Sequence, residues 1–248
     1  MATQIATNSS ARALYLYGIS ASRPAPAKVR GGGIDGSSPV ENLECSGLRC
    51  WISRVDKHEY ADQLAGNMEN LDWLATTSVR HQRVVGEIAS MLTIVPARFG
   101  TVFLSEESLQ AHVAERQQQI LETLRKIEGT EEWGVKLFSV AQVPAQLPPV
   151  SSGSDYLRLK AAKLQPVKAK ELDPEIKEFI RELQQVTEDS AVSGKVSSGQ
   201  RNLEWQASFL VRKTKKKEWD AVLRRYATAW QKRREIECTG PWPPYSFI

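Results

Sequence analysis

Few residues in this chain are of types that could do chemistry. Three cysteines, Cys45, Cys50 and Cys238, and three histidines, His58, His81 and His112, are its only thiol and imidazole groups. The closest cysteine spacing, C-x4-C, matches no common zinc or redox pattern, and the histidines fall on separate predicted helices. Reduced thiols and no metal are therefore expected. The run Gly31-Gly32-Gly33-Ile34-Asp35-Gly36 has the look of a phosphate-binding loop, but no Lys-Ser/Thr follows it and no helix begins there, so it reads as a flexible connection. Neither G-x-S-x-G nor H-E-x-x-H occurs. The acidic pairs Glu106-Glu107 and Glu131-Glu132 lie at predicted element ends, where carboxylates serve as caps and solvated positions. Catalysis and a cofactor are not expected.

Binding chemistry is better represented. Between Ser208 and Arg234 stand ten basic residues against Glu218 and Asp220, so this stretch carries +8 in a chain whose net charge is +4. Such a segment suits nucleic acid, an anionic surface or an acidic protein partner. Its densest part, Lys215, Lys216 and Lys217, opens a predicted helix, where cations oppose the dipole; a solvated face with a partner-steering role is the expectation. The last residues, Pro241-Trp242-Pro243-Pro244-Tyr245-Ser246-Phe247-Ile248, combine three prolines with three aromatic rings. Proline predicts an extended, polyproline-like path, and rings that each bury roughly 150–250 Å² are costly to leave in water. Trp242, Tyr245 and Phe247 are thus expected to dock on the N-terminal domain, with service as a ligand for another protein as the alternative.

The elements that must position these residues follow from pattern. At 248 residues, 41% apolar and 25% charged, the chain suits two modest α+β domains. No run of 18 apolar residues occurs and the first ten residues are polar, so neither a membrane span nor a secretory signal is expected, and a cytoplasmic location follows. Strands are predicted at Ala13–Ile19 and Leu48–Val55, and a short helix at Lys57–Ala65 behind an Asp56/Glu59 capping box. A long helix from Leu71, capped by Asn70, presents Leu71, Leu74, Ser78, His81, Val85, Ile88 and Leu92 on one face, which makes His81 a half-buried structural histidine. A bent strand or strand pair spans Thr93–Phe103, with Pro96 at an edge and Arg98 paired or snorkelling. A helix capped by Ser105, with Leu109, Val113, Ile120, Leu124 and Ile127 as its stripe, ends at Gly129.

From there the predicted elements are a strand at Trp133–Val140, a Pro/Ser-rich loop at Pro144–Ser154, and helices at Tyr156–Leu164 and Pro174–Thr187. Strands near Gly194–Ser198 and at Leu203–Arg212, a helix at Lys215–Lys232 and a strand at Glu235–Thr239 complete the chain. The order β-α-β-β-α-β is the ferredoxin-like pattern. The expected architecture is an N-terminal mixed α+β domain over 1–128, a ferredoxin-like domain over 129–237, and an extended C-terminal tail over 238–248. This topology also hosts RNA-recognition modules, which makes an RNA binder using residues 208–234 the alternative function. An RNA-reading sheet needs rings on its open face, and Leu203–Arg212 offers Glu204, Gln206, Ser208, Leu210 and Arg212 there instead.

Five stretches in order carry a resemblance: Leu14-Tyr15-Leu16-Tyr17-Gly18-Ile19, Asn70-Leu71-Asp72-Trp73-Leu74, Val95-Pro96-Ala97-Arg98-Phe99-Gly100-Thr101-Val102-Phe103, Glu131-Glu132-Trp133-Gly134-Val135-Lys136-Leu137 and the Trp-Pro-Pro-Tyr-Ser-Phe end. Together they resemble the gas vesicle protein L/F family over Leu14 to Ile248. Family members usually carry His-Glu in the long helix, where this chain has His81-Gln82. The resemblance implies a non-enzymatic accessory or minor structural protein, associated with gas vesicles in the cytoplasm. Its implied partners are the major gas vesicle shell protein and other accessory proteins, with no nucleic acid and no lipid membrane. A subunit with an apolar, gas-facing side must be kept from aggregating before it polymerises, and a chaperone-like assembly factor with an apolar groove can do that.

Overall fold

The structure, a computed structural model, describes residues 11–22, 28–140, 172–192 and 202–248. The chain forms two compact units: one holds the residues up to Glu132 together with Gly240–Ile248, and the other runs from Trp133 to Thr239.

The first unit is built on β1 (Arg12–Ala21). It pairs antiparallel with β3 (Leu48–Asp56), which pairs with β2 (Glu41–Cys45). Its other edge is shared by β4 (Ile94–Pro96) and β5 (Val102–Phe103). Every residue from Ala13 to Ser20 is buried, because both faces of this sheet are covered. On one face Tyr15, Tyr17 and Trp51 meet Val84, Val85 and Ile88 of α2 (Leu71–Met91). On the other, Leu14, Leu16 and Ile52 meet Leu109, Val113 and Ile120 of α3 (Glu106–Ile127).

Local signals set the helix ends. Asn70 Oδ1 accepts from the N–H groups of Asp72 and Trp73, and Ser105 and Ser108 bond reciprocally across the first turn of α3. All five stripe residues expected for α3 are buried. Gly129 lies just past its end with φ +69°, the left-handed conformation that glycine adopts without strain.

Several expectations need correction. In place of one helix at Lys57–Ala65 there is a π-helical turn at His58–Asp62 followed by α1 (Leu64–Glu69). Asp56 does cap Glu59 N–H, but the Glu59 carboxylate, instead of closing the box, accepts from Trp73 Nε1 at 2.8 Å. Leu71 is 78% exposed, so the buried stripe of α2 starts a turn and a half later, at Thr77. Arg98 is exposed in the turn between β4 and β5. The Gly31–Pro39 connection is pinned: Ile34 is fully buried, its N–H donates to the Tyr17 hydroxyl at 2.7 Å, and Arg83 donates to the carbonyls of Arg30 and Gly32. A Cβ on Gly33 would lie 2.2 Å from Ser53 Oγ, so that glycine answers a packing need.

The second unit takes in β6 (Thr130–Ser139) from Trp133 onward, then α4 (Pro174–Gln185), β7 (Asp189–Val192), β8 (Leu203–Arg212), α5 (Lys216–Trp230) and β9 (Arg234–Trp242) as far as Thr239. The sheet order is β7-β8-β6-β9. Phe179, Trp205, Phe209, Trp219 and Trp230 form the centre of its core. The expected loop at Pro144–Ser154, helix at Tyr156–Leu164 and strand at Gly194–Ser198 lie outside the described residues, and β7 pairs with β8 ahead of that last position. Leu210, expected on the open face of β8, is fully buried.

The C-terminal path also differs from expectation. Gly240-Pro241 does not end the last strand: β9 continues through it to Trp242, and Tyr245–Phe247 then coil into one 3-10 turn. Proline is tolerated here because β9 is the outermost strand among the described residues.

Candidate functional site

The densest set of polar and aromatic groups in the first unit is centred on His81. Two elements set its position. Asn70 fixes the start of α2, which turns His81 toward β1, and the alternation of β1 sends Tyr15 and Tyr17 to the same face. The Tyr15 hydroxyl lies 2.9 Å from His81 Nδ1 and the Tyr245 hydroxyl 3.0 Å from Nε2, so both ring nitrogens are occupied by phenols. Phe99 packs edge-on to Tyr15, Trp73 and His81.

The turn carrying Phe99 is closed by Gly100. Its φ is +80°, and its N–H donates to the Tyr15 hydroxyl at 3.1 Å. On either side of this turn, Ala97 N–H donates to the Tyr17 carbonyl and Leu16 N–H to the Thr101 carbonyl. The Pro-Ala-Arg-Phe-Gly-Thr motif is thus a bulged connection that keeps both flanks on one edge of β1 while inserting a ring beside His81.

Burial controls the titration of this cluster. It pushes His81 down to about 4 and Tyr17 up to about 12, and raises Tyr15 and Tyr245 well above the ordinary phenol value. At neutral pH the imidazole and the phenols are all uncharged. A general base must sit near the working pH and reach a substrate proton; here both imidazole nitrogens already face phenols and the ring is fully buried. Among the described residues no group of three or more His, Cys, Asp or Glu is placed to hold a metal ion. The arrangement is suited to holding the C-terminal segment.

That segment is read residue by residue. Beyond the Tyr245 contact, the buried Glu132 carboxylate accepts from Ser246 N–H at 2.9 Å and from Ser246 Oγ at 2.6 Å. Phe247 is 8% exposed, with Lys126 Nζ 5.8 Å from its ring centroid. Trp242, at the end of β9, is half exposed. Sequence reasoning singled out Trp242, Tyr245 and Phe247 but missed Glu132, which it read as a solvated position. Strand alternation puts Glu132 on the face opposite Val135 and Leu137, so nothing in the local pattern of β6 signalled its burial.

The basic segment of the second unit is largely compensated. Arg234, whose side chain is only 10% exposed, meets Asp173, Glu175 and Glu204 at 2.7, 3.0 and 2.8 Å. Arg212 pairs with Glu188, Arg225 with Glu182 and Arg233 with Glu175. The three lysines differ from one another. Lys215 is half-buried, 4.0 Å from Glu188; Lys216 is half-buried, 2.5 Å from Asp220 and 4.1 Å above the Trp133 ring centroid; Lys217 is exposed. A uniformly solvated basic face is not what these residues form. Carboxylates from α4 and its flanks answer much of the charge that the sequence displays.

Comparisons with known proteins give the family and the fold. A family model described as gas vesicle synthesis protein GvpL/GvpF matches residues 13–248. Gas vesicle protein L of Streptomyces sp. (strain CB03234) is 26% identical over 201 residues, spanning 74% of this chain and 73% of that protein. Gas vesicle protein F of the same strain is 25% identical, spanning 94% and 98%. The crystal structure of GvpF from Anabaena sp. PCC7120 is similar in fold, with a TM-score of 0.69 at 20% identity and 95% of both chains covered. That of GvpF from Microcystis aeruginosa gives 0.63 at 21% identity, covering 95% and 98%. A match running from the first residues of β1 through the Tyr-Ser-Phe turn spans both units and the site itself, and this chain therefore belongs to the GvpL/GvpF family of gas vesicle synthesis proteins.

Proposed function

We propose that this protein is a non-enzymatic accessory or minor structural component of gas vesicle assembly that binds the small, apolar shell protein and works in the cytoplasm with other accessory proteins. The family match over residues 13–248 carries this reading. The deployment of the most chemically equipped cluster supports the non-enzymatic part, since its imidazole and carboxylate bind the chain's own C-terminal segment and the phenols of Tyr15 and Tyr17 are taken up by His81 and Ser53. The strand order β7-β8-β6-β9 supports a ferredoxin-like second domain, with the tail as a strap on the first. Lys217 and Arg224, both exposed, are the basic residues best suited to steering a partner.

Direct binding to purified shell protein in a pull-down tests the proposal. Retention that survives added RNA and moderate salt is the expected result. Loss of retention, with RNA bound alone and a steep salt dependence, would return the basic segment to nucleic acid. The compensation of Arg212, Arg225, Arg233 and Arg234 by carboxylates weighs against that outcome.

A further inference from the structure

The site on the first unit has the make-up of a peptide-recognition site whose occupant happens to be covalently attached. It distinguishes three successive residues by chemistry: a phenol on His81 Nε2, a backbone N–H and hydroxyl on one buried carboxylate, and an apolar ring beneath an ammonium. Both polar readers, His81 and Glu132, are more than nine-tenths buried with the segment in place, and its departure removes the phenol on His81 Nε2 and the Ser246 donors to the Glu132 carboxylate. None of these contacts involves the connection from Gly240 to Pro244. The same sequence arriving from elsewhere would make them equally well, and a second copy of this chain carries it.

We propose that the site also accepts the C-terminal segment of a second copy, so that two chains exchange their tails reciprocally. Because the contacts are the same within and between chains, the balance is set by concentration. One's own tail competes with an effective concentration on the order of millimolar for a short tether, so exchange belongs to crowded conditions such as co-assembly on one surface. Two tails filling two sites close the assembly at a dimer. The joint is Pro243-Pro244, which lies between the end of β9 at Trp242 and the Tyr245–Phe247 turn and belongs to neither. This inference does not depend on the shell-protein reading.

Two full-length variants test it by complementation. The double variant Tyr245→Ala/Phe247→Ala has a silent tail and a free site; Glu132→Leu has an intact tail and a damaged site. Each should sediment alone as a monomer, and an equimolar mixture at about 100 μM, well below the millimolar tether scale, should give a 1:1 complex of doubled mass. A mixture that stays monomeric at every ratio, while both variants melt cooperatively, overturns the proposal. Should either variant fail to fold, the wild-type chain is titrated with a synthetic peptide of residues 240–248 at several times the ~1 mM tether scale. Faster hydrogen exchange at the chain's own Ser246 and Phe247 amides shows displacement, and unchanged exchange throughout the titration overturns it.

Discussion

Placing an imidazole beyond the reach of water couples the first unit to pH. His81 titrates near 4 in the folded chain because burial penalises its charged form, against about 6.5 unfolded. Between those values the unfolded chain binds the extra proton. Stability is therefore fully present above pH 6.5 and falls as pH drops toward 4, by up to about 3 kcal/mol from this one residue. Urea melts at pH 7 and 4.5 should show wild type losing more stability than a His81→Gln variant, which starts lower but lacks this dependence. Parallel losses in both proteins would show that other groups govern the acid response.

Gly100 gives a second residue-scale prediction. Its φ of +80° disfavours any side chain, and a Cβ would come within 2.7 Å of Met68 Cε. Since the methionine end can move, the backbone term dominates, and Gly100→Ala should cost about 1–2 kcal/mol in thermal or urea unfolding. A neutral substitution would mean that the turn rearranges and releases Phe99.

Among the elements, α5 shows how charge and position part company. Lys216 and Lys217 are adjacent and chemically identical, yet one is stacked on Trp133 and paired with Asp220 while the other is exposed. Lys216→Gln should destabilise the second unit by about 1 kcal/mol, as a half-buried cation–ring contact is removed. Lys217→Gln should stay within about 0.5 kcal/mol. Equal effects, read as midpoint shifts in denaturant, would remove the distinction.

What could be read from sequence follows the same division between local and non-local causes. Asn70, Ser105 and Asp173 act within three residues of themselves, so their helix starts were legible, as was the α3 stripe from Leu109 to Ile127. The strand β2, Glu-Asn-Leu-Glu-Cys, has little strand propensity and exists because β3 offers it an edge. Glu59, which does not close a capping box with Asp56, bonds instead to a tryptophan fourteen residues further on. Leu210 read as solvent-facing because alternation alone does not say which strand faces are covered twice. At the site, the rings of the tail were visible as a group needing burial, but Glu132 was not, because its partner lies 114 residues away.

At the scale of the whole molecule, the first unit is discontinuous in sequence: residues up to Glu132 are joined by Gly240–Ile248. Truncating residues 241–248 removes the Phe247 ring and leaves Glu132 and His81 facing an open groove. The expected loss is about 3 kcal/mol or more for the first unit, comparable to a large-to-small core substitution with unsatisfied polar groups. Limited proteolysis and melting of the truncated and full chains check it; identical melting and cleavage patterns would show that the tail contributes nothing to that unit.

The discontinuity also sets a schedule. A ribosome adding residues at roughly 5–20 per second finishes the segment up to Glu132 several seconds or more before it reaches the tail. Throughout that interval the newborn first unit has an unfilled groove, with His81 and Glu132 awaiting partners that have not been translated. Its final stabilisation comes only when the Tyr245–Phe247 turn has cleared the exit tunnel. An extension fused beyond Ile248 would postpone or obstruct this closing step, whereas one placed ahead of β1 would leave it untouched.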